Sequence, residues 1–423
     1  MSGKDMDAIH TFDKAWMVAF QEDALLQILP YTLAAPIYAR KFADAGIKSQ
    51  DVGSYADISK IPFTCKADIH ATTVFERTPL QQKDIYAIYS SNGTSGKPTL
   101  YAWSHDDVQV QREMSHRILS KIGVDETDLG LILAPLSLPV MGHCMIRQYE
   151  SVGAGFVPLG PVDPATIISF LRQMPITSVA TLPILASRLW EFMKVKLSLG
   201  ADDVSHIRSF LLGGDFLSDA RRSRLETCWK ANCFDLYGIS ELFGPISGEC
   251  RLKNGLHFGA DKVLIEVLDP FTAQPVSAGQ KGVAVLSSLW RKGFPLLRYW
   301  TDDFISLSWE PCACGNPAPR IWYYGRKIDC AHLHGRFIFP KDVENCLLRF
   351  PVSDEYHLDY HDGRKPYIQV HVEPIPGMAL PKPEIKDAVA DLFDMPVRIY
   401  PHTPGSLPRN QIKPKRLINF PLP

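Results

Sequence analysis

Between residues 129 and 237 short apolar runs alternate with longer helical patterns, and few folds accommodate that rhythm. Leu129-Gly130-Leu131-Ile132-Leu133-Ala134 is nearly continuous in apolar residues, as in a strand covered on both faces. Gly153–Leu159, Ser178–Leu182, Ile207–Leu212 and Phe234–Tyr237 read as further strands. Helical patterns follow at Pro164–Met174, Pro183–Leu199 and Phe216–Asn232. Strands alternating with helices in this way predict an α/β fold with a mainly parallel sheet. Upstream, residues 8–80 read as mostly helical, with Trp16, Phe20, Leu25, Leu26, Ile28 and Leu29 at helical spacing. A second helix is expected from Asp106 to Ile122, capped by Ser104.

From about residue 255 the texture changes. Val263–Leu268, Gly282–Ser287 and Leu297–Trp300 are strand-like with little helix between them, which predicts a β-rich subdomain at about 255–325. After Gly325-Arg326 the pattern becomes a small α+β unit. It has helices at Pro340–Arg349 and Lys382–Phe393 and strands at Glu355–Tyr360, Tyr367–Val372 and Val397–Tyr400. The expected division is a large N-terminal domain, 1–325, and a small C-terminal domain, 326–423.

The chain's 423 residues are enough for two or three domains and a sizeable core. A net charge of -1 gives no electrostatic case for nucleic acid or an anionic membrane. No apolar run reaches the ~18 residues that a membrane span needs. The start, Met1-Ser2-Gly3-Lys4-Asp5-Met6-Asp7, does not read as a signal peptide. Nine scattered cysteines fit a reducing cytosol better than a disulfide framework, so a cytoplasmic location is expected.

Candidate chemistry begins at Ser90-Ser91-Asn92-Gly93-Thr94-Ser95-Gly96-Lys97-Pro98-Thr99, which follows the strand-like Ile85–Tyr89. Glycines let backbone N–H groups approach phosphate oxygens, and the hydroxyls and lysine add donors. The spacing is not that of a Walker A loop. Downstream stand Tyr237-Gly238-Ile239-Ser240-Glu241, Tyr299-Trp300-Thr301-Asp302-Asp303, Gly325-Arg326-Lys327-Ile328-Asp329 and Pro408-Arg409-Asn410-Gln411-Ile412-Lys413. In this order the set resembles the acyl-adenylate-forming superfamily. Ile61-Pro62-Phe63-Thr64-Cys65-Lys66-Ala67-Asp68 and Pro404-Gly405-Ser406-Leu407-Pro408-Arg409 bring it nearest to the phenylacetate–coenzyme A ligase branch. The resemblance covers roughly residues 55 to 420.

The resemblance implies two half-reactions. A carboxylate attacks the α-phosphate of ATP, giving an acyl-adenylate and pyrophosphate; a nucleophile, most often coenzyme A, then displaces AMP. Ser91, Asn92, Gly93, Thr94, Ser95, Gly96 and Lys97 would hold the β- and γ-phosphates, with Asn92 replacing the usual hydroxyl residue. Glu241 would bind Mg²⁺, Tyr237 would stack on or line the adenine, Gly238 would leave room for the carboxyl and α-phosphate, and Ser240 would belong to the nucleotide site. Gly213-Gly214-Asp215 matches a Gly-Gly-Glu run against the adenine. Asp303 is the expected ribose ligand in a motif whose Arg and Gly are replaced here; Asp302 is the less favoured candidate. Arg326 would give a second ribose or phosphate contact. Asp329 is the expected hinge of a mobile C-terminal domain, and Lys413 the lysine that bridges carboxylate and α-phosphate.

Three further expectations complete the set. Cys250, His257, Cys312 and Cys314 could form a closed tetrahedral site for structural Zn²⁺, as in some relatives; the alternative is inert buried thiols. By analogy Leu138, Met141, His143, Phe210, Leu212, Phe243 and Pro245 would wall the acid pocket, and an apolar, partly aromatic wall favours an aryl acid. His332-Leu333-His334-Gly335-Arg336 replaces a more apolar loop that approaches the second substrate. The leading expectation is adenylation of an aromatic carboxylic acid followed by transfer to coenzyme A, or to an amine or carrier protein; activation of nitrite for diazotisation and a non-catalytic nucleotide binder are the alternatives. Neither nucleic acid nor a membrane is an expected partner; monomer and homodimer are equally compatible.

Overall fold

The computed structural model describes residues 14–91, 98–409 and 413–421. The expected phosphate-binding residues Asn92–Lys97 therefore lie outside the described part, although Ser91 lies within it.

The parallel half and the β-rich stretch turn out to be one continuous sheet of 11 strands. Strands 155–157, 129–132, 178–181, 209–213 and 232–239 are parallel neighbours, in that order across the sheet. The order continues through 244–249, 256–258, 320–326, 299–308, 282–288 and 263–268, all antiparallel. Strand 232–239 is the seam between the two modes.

The parallel half is buried on both faces. Helices 164–173, 183–196 and 219–229 cover one side, packing Leu171, Leu189, Leu225 and Trp229 onto Val179, Phe210 and Leu212. Helices 105–122 and 140–151 cover the other, packing Ile118, Leu119, Met145 and Tyr149 onto Ile132, Leu211 and Leu236. This double cover explains the unbroken apolar runs in the sequence. Ser104 caps helix 105–122 as expected, its Oγ accepting from Asp107 N at 3.1 Å while Asp107 Oδ2 accepts from Ser104 N at 2.9 Å.

Several element bounds differ from expectation, two of them for a clear local reason. The helix read as Phe216–Asn232 spans Asp219–Trp229. Ser218 Oγ accepts from Arg221 N at 3.0 Å and sets its start, Lys230 at φ +53° ends it, and Asn232 already pairs with Ser209. The strand read as Leu297–Trp300 spans Tyr299–Ser308, because its polar Thr301-Asp302-Asp303 segment hides continued pairing.

The chain after Arg326 forms a four-stranded sheet, ordered 397–401, 367–374, 352–361 and 417–418, with helices 340–347 and 382–393 sharing its core. No helix among the described residues is long and apolar enough to cross a membrane.

Candidate active site

Strand 232–239 delivers Tyr237 to the seam, where its hydroxyl donates to Asp303 Oδ2 at 2.8 Å. Asp303 comes from strand 299–308 and is 2 % exposed. Arg326, the last residue of the neighbouring strand 320–326, brings Nε to 3.3 Å from Asp303 Oδ1. Burial pushes the Asp303 carboxyl up from its usual range, opposed by Arg326 and the Tyr237 hydroxyl. The Arg326 guanidinium is held more firmly charged, chiefly by Asp303. Tyr323 tilts against the Tyr237 ring at 5.2 Å.

Asp302 is a different case. It is exposed, its carboxylate accepts from Trp300 Nε1 at 2.9 Å, and its φ is +61°. That left-handed conformation is the one glycine adopts freely, which accounts for glycine at this place in the related motif.

Glu241 lies in the turn after strand 232–239. Its Oε1 accepts from two hydroxyls, Tyr101 at 3.2 Å and Tyr299 at 3.1 Å. Burial first, then the Glu241 charge, raises both tyrosines, so they stay protonated donors. Tyr101 also meets the side chains of Ser91 and Thr99, and Ser91 N donates to Thr99 O at 3.1 Å. The two ends of the segment Asn92–Lys97 thus close beside Glu241.

Gly238 can be nothing larger here: an added Cβ would fall 2.0 Å from Gly244 O. Gly213 is buried and Gly214, at φ +82°, turns the chain into Asp215. Ser240 is half-buried in the turn that carries Glu241. Lys413 keeps a path to solvent, yet desolvation lowers its pKa while Asp215, Asp303 and Asp329 favour its charge. Asp329 sits in the short 3-10 turn Lys327–Asp329 that leads out of strand 320–326. Burial raises its pKa against Arg326 and Lys413.

The pocket residues divide. Leu138, Met141, His143 and Pro245 keep accessible surface. Met141 Sδ would lie 3.3 Å from a Cβ on Gly214, and the His143 and Tyr89 rings are 4.8 Å apart. Phe210, Leu212 and Phe243 do not fit the expected role, since all three are completely buried. Phe210 and Leu212 point into the helix layer, Phe210 lying 5.0 Å from Trp229. Phe243 belongs to the seam core, under the Arg291 guanidinium at 5.4 Å. Strand alternation turns Phe210 and Leu212 toward helices 183–196 and 219–229, while Phe243 packs inward from the turn between strands 232–239 and 244–249.

The sequence reading missed a cavity of about 320 Å³ between helices 219–229 and 340–347. Arg222, Asp235, Glu249, Tyr323, Lys341 and Asn345 are among its walls. Burial and the neighbouring Glu249 push the Asp235 carboxyl up to about 7. The available signal was an acid inside an otherwise apolar strand.

Cys250, His257, Cys312 and Cys314 do converge, their ligand atoms all within 4.8 Å of one another. Cys250 Sγ and Cys312 Sγ are 4.0 Å apart; Cys314 Sγ and His257 Nε2 are 3.4 Å apart. A tetrahedron with Zn–S bonds of ~2.3 Å has edges of about 3.8 Å, so the donor set fits a closed zinc site. Burial lowers the His257 pKa, which keeps the imidazole neutral. The His332–Arg336 segment forms a hairpin turned by His334 at φ +52° and Gly335 at φ +73°. Its His332 ring packs 5.5 Å from Phe271.

Residues 32–290 match the family model described as "AMP-binding enzyme", and the chain belongs to that family. Within it the chain stands on the phenylacetate–coenzyme A ligase-like branch and is an enzyme of the acid–thiol ligase class. It is 28% identical to a phenylacetate–coenzyme A ligase of Thermus thermophilus, over 81% of this chain and 78% of that one. A ligase of the same name from Escherichia coli is 25% identical over 87% and 85%. In fold it resembles a 2-hydroxyisobutyryl-CoA ligase in the postadenylation state, with TM-score 0.87, 22% identity and coverage of 95% and 88%. An anthranilate CoA ligase gives TM-score 0.59 at 17% identity, over 78% and 66%.

Proposed function

We propose that this enzyme uses ATP to adenylate an aromatic carboxylic acid, releasing pyrophosphate, and then transfers the acyl group to coenzyme A. The observation that carries the reading is the gathering of Lys413 with Asp215, Asp303, Asp329 and Arg326, from segments far apart in sequence.

In this reading Asp303 accepts from the ribose hydroxyls, with Tyr237 and Arg326 fixing its carboxylate. The base lies against Tyr237 and Tyr323, beside Gly213-Gly214-Asp215, and the Asp235 carboxyl meets its amino group. Ser91 and the residues Asn92–Lys97 hold the β- and γ-phosphates, with Gly238 and Ser240 close to the α-phosphate. Lys413 places its ammonium between the attacking carboxylate and the α-phosphate, where negative charge must be neutralised as the oxygens approach. Glu241 offers a hard oxygen suited to Mg²⁺ at the mouth of that loop. Leu138, Met141, His143 and Pro245, with the Tyr89 ring behind them, favour a flat acid. Cys250, His257, Cys312 and Cys314 hold a structural Zn²⁺ that ties strands 244–249, 256–258 and 320–326 together. The chain folds as domains 1–325 and 326–423 that turn about Asp329, in the cytoplasm.

The test is ATP–pyrophosphate exchange across benzoic, phenylacetic, heteroaryl and aliphatic acids. Exchange with an aryl acid, followed by thioester formation when coenzyme A is added, supports the reading. Exchange with aliphatic acids alone would move the substrate class. Absence of exchange with every acid, but AMP release with nitrite plus an aryl amine, would replace it with the diazotising chemistry.

A further inference from the structure

Helix Pro183–Lys196 lies on the sheet layer, away from the reacting groups, yet one turn of it reaches both sides of the Lys413 segment. Arg188 and Glu191 are spaced i,i+3 and so share a helix face. Glu191 takes both ends of a guanidinium fork from Arg409, Oε1 to Nη2 at 2.8 Å and Oε2 to Nε at 3.2 Å. Arg409 is the last described residue before Asn410–Ile412, and Lys413 follows that gap. The same guanidinium is held from the C-terminal side by Glu373, Nη2 to Oε2 at 2.7 Å. On the other flank, Arg188 Nε donates to Glu355 Oε1 at 2.6 Å. Glu355 Oε2 in turn faces Arg416 Nη1 at 3.5 Å. Arg416 also donates to Tyr356 O and Asp354 O, each at 2.8 Å. Glu355 and Arg416 are almost wholly shielded, at 3 % and 5 % side-chain exposure. Bidentate and shielded guanidinium–carboxylate pairs of this kind fix geometry more firmly than exposed single contacts do.

We infer that Arg188 and Glu191 are positioning residues for Lys413, one turn of helix that grips both flanks of the lysine segment and sets where its ammonium stands. Neither touches the nucleotide site; each acts through an arginine within four residues of Lys413. The inference rests on the proposed role of Lys413 in adenylation. A displacement of about 1 Å at a reacting group can cost on the order of 100-fold, so loss of one grip should lower the exchange rate about 10- to 100-fold.

The experiment uses the full chain with Glu191→Gln and Arg188→Gln, and ATP–pyrophosphate exchange with the acid that wild type accepts in the panel. A second arm supplies the preformed acyl-adenylate and coenzyme A. A third measures amide hydrogen exchange over residues 405–418 with ATP present. The expected result is slower pyrophosphate exchange at little changed KM for ATP, unchanged thioester formation from the adenylate, and faster amide exchange at 405–418. Glu191→Asp, which keeps the carboxylate, should recover part of the rate that Glu191→Gln loses. Wild-type exchange in both single variants, or equal losses in both half-reactions, would overturn the positioning role. Failure of the underlying reading looks different: Lys413→Ala would then retain wild-type pyrophosphate exchange.

Discussion

Tyr237 and Asp303 are joined by a 2.8 Å hydrogen bond across the seam of the sheet. One residue comes from the last parallel strand, the other from the antiparallel half, so this side-chain contact adds to the backbone pairing across the seam. The bond also explains a chemical feature. In the proposed role a buried carboxyl accepting from ribose must stay oriented despite its raised pKa, and Tyr237 and Arg326 hold it in place.

Lys413→Ala should lower acid-dependent pyrophosphate exchange by about 100- to 1,000-fold or more, the scale of removing a charge that faces a developing oxyanion. Binding of ATP, read by calorimetry, should change little. Near-normal pyrophosphate release in this variant would move the catalytic role elsewhere.

The two neighbouring aspartates should behave oppositely. Asp302→Gly relieves a positive-φ position and should leave stability within about 1 kcal/mol of wild type, with exchange intact. Asp303→Ala removes the buried carboxylate and should raise the KM for ATP strongly. Equal defects in both variants would contradict the assignment of ribose contact to Asp303 alone.

Zinc should be present at about one atom per chain by elemental analysis, and Cys312→Ser/Cys314→Ser should abolish it. Structural zinc contributes directly to folding free energy, so chelation should lower the thermal midpoint of wild type and leave the double variant unmoved. A metal-free wild type with the same midpoint would leave four inert side chains.

Asp235 predicts a pH effect with a definite sign. Its folded pKa, pushed up to about 7 by burial and Glu249, stands above the unfolded value near 3.8. Between those values the folded state keeps a proton that the unfolded state has lost, so stability falls as pH rises through the window. Asp235→Asn carries no such proton. Its urea-unfolding stability relative to wild type should therefore improve from pH 4.5 to pH 7.5, with a slope of at most about 1.4 kcal/mol per pH unit. A relative loss over the same range would show the carboxyl to be ionised in the folded protein.

The sequence made the helices and strands legible where one face or both are apolar, and it placed Ser104, Glu241, Asp303 and the Cys250–Cys314 quartet at positions the structure brings together or caps. It could not show that the 129–237 and 255–325 stretches share one sheet, because pairing across the seam depends on strands 244–249 and 256–258, which are short and contain Gly248 and His257. That Phe210 and Leu212 do not wall the pocket was not legible, because an apolar run covered by helices on both faces does not say which of its residues end near the loops. Asp235 escaped notice because its meaning lies in Glu249, Lys341 and Arg222, which only the tertiary fold puts around it. The segment Asn92–Lys97 is outside the described residues, so its expected phosphate contacts rest on the closed loop ends at Ser91 and Thr99.

Strand 232–239 pairs in parallel along one edge and antiparallel along the other, and this gives the protein a modular design space. Loops such as 135–139, which grow from the parallel side, can diverge in length and side chains without disturbing the plate that aligns Asp303 and Arg326. A library aimed at new acids should therefore vary those loops and hold the seam constant. Changes within the seam itself would retune both chemistries at once.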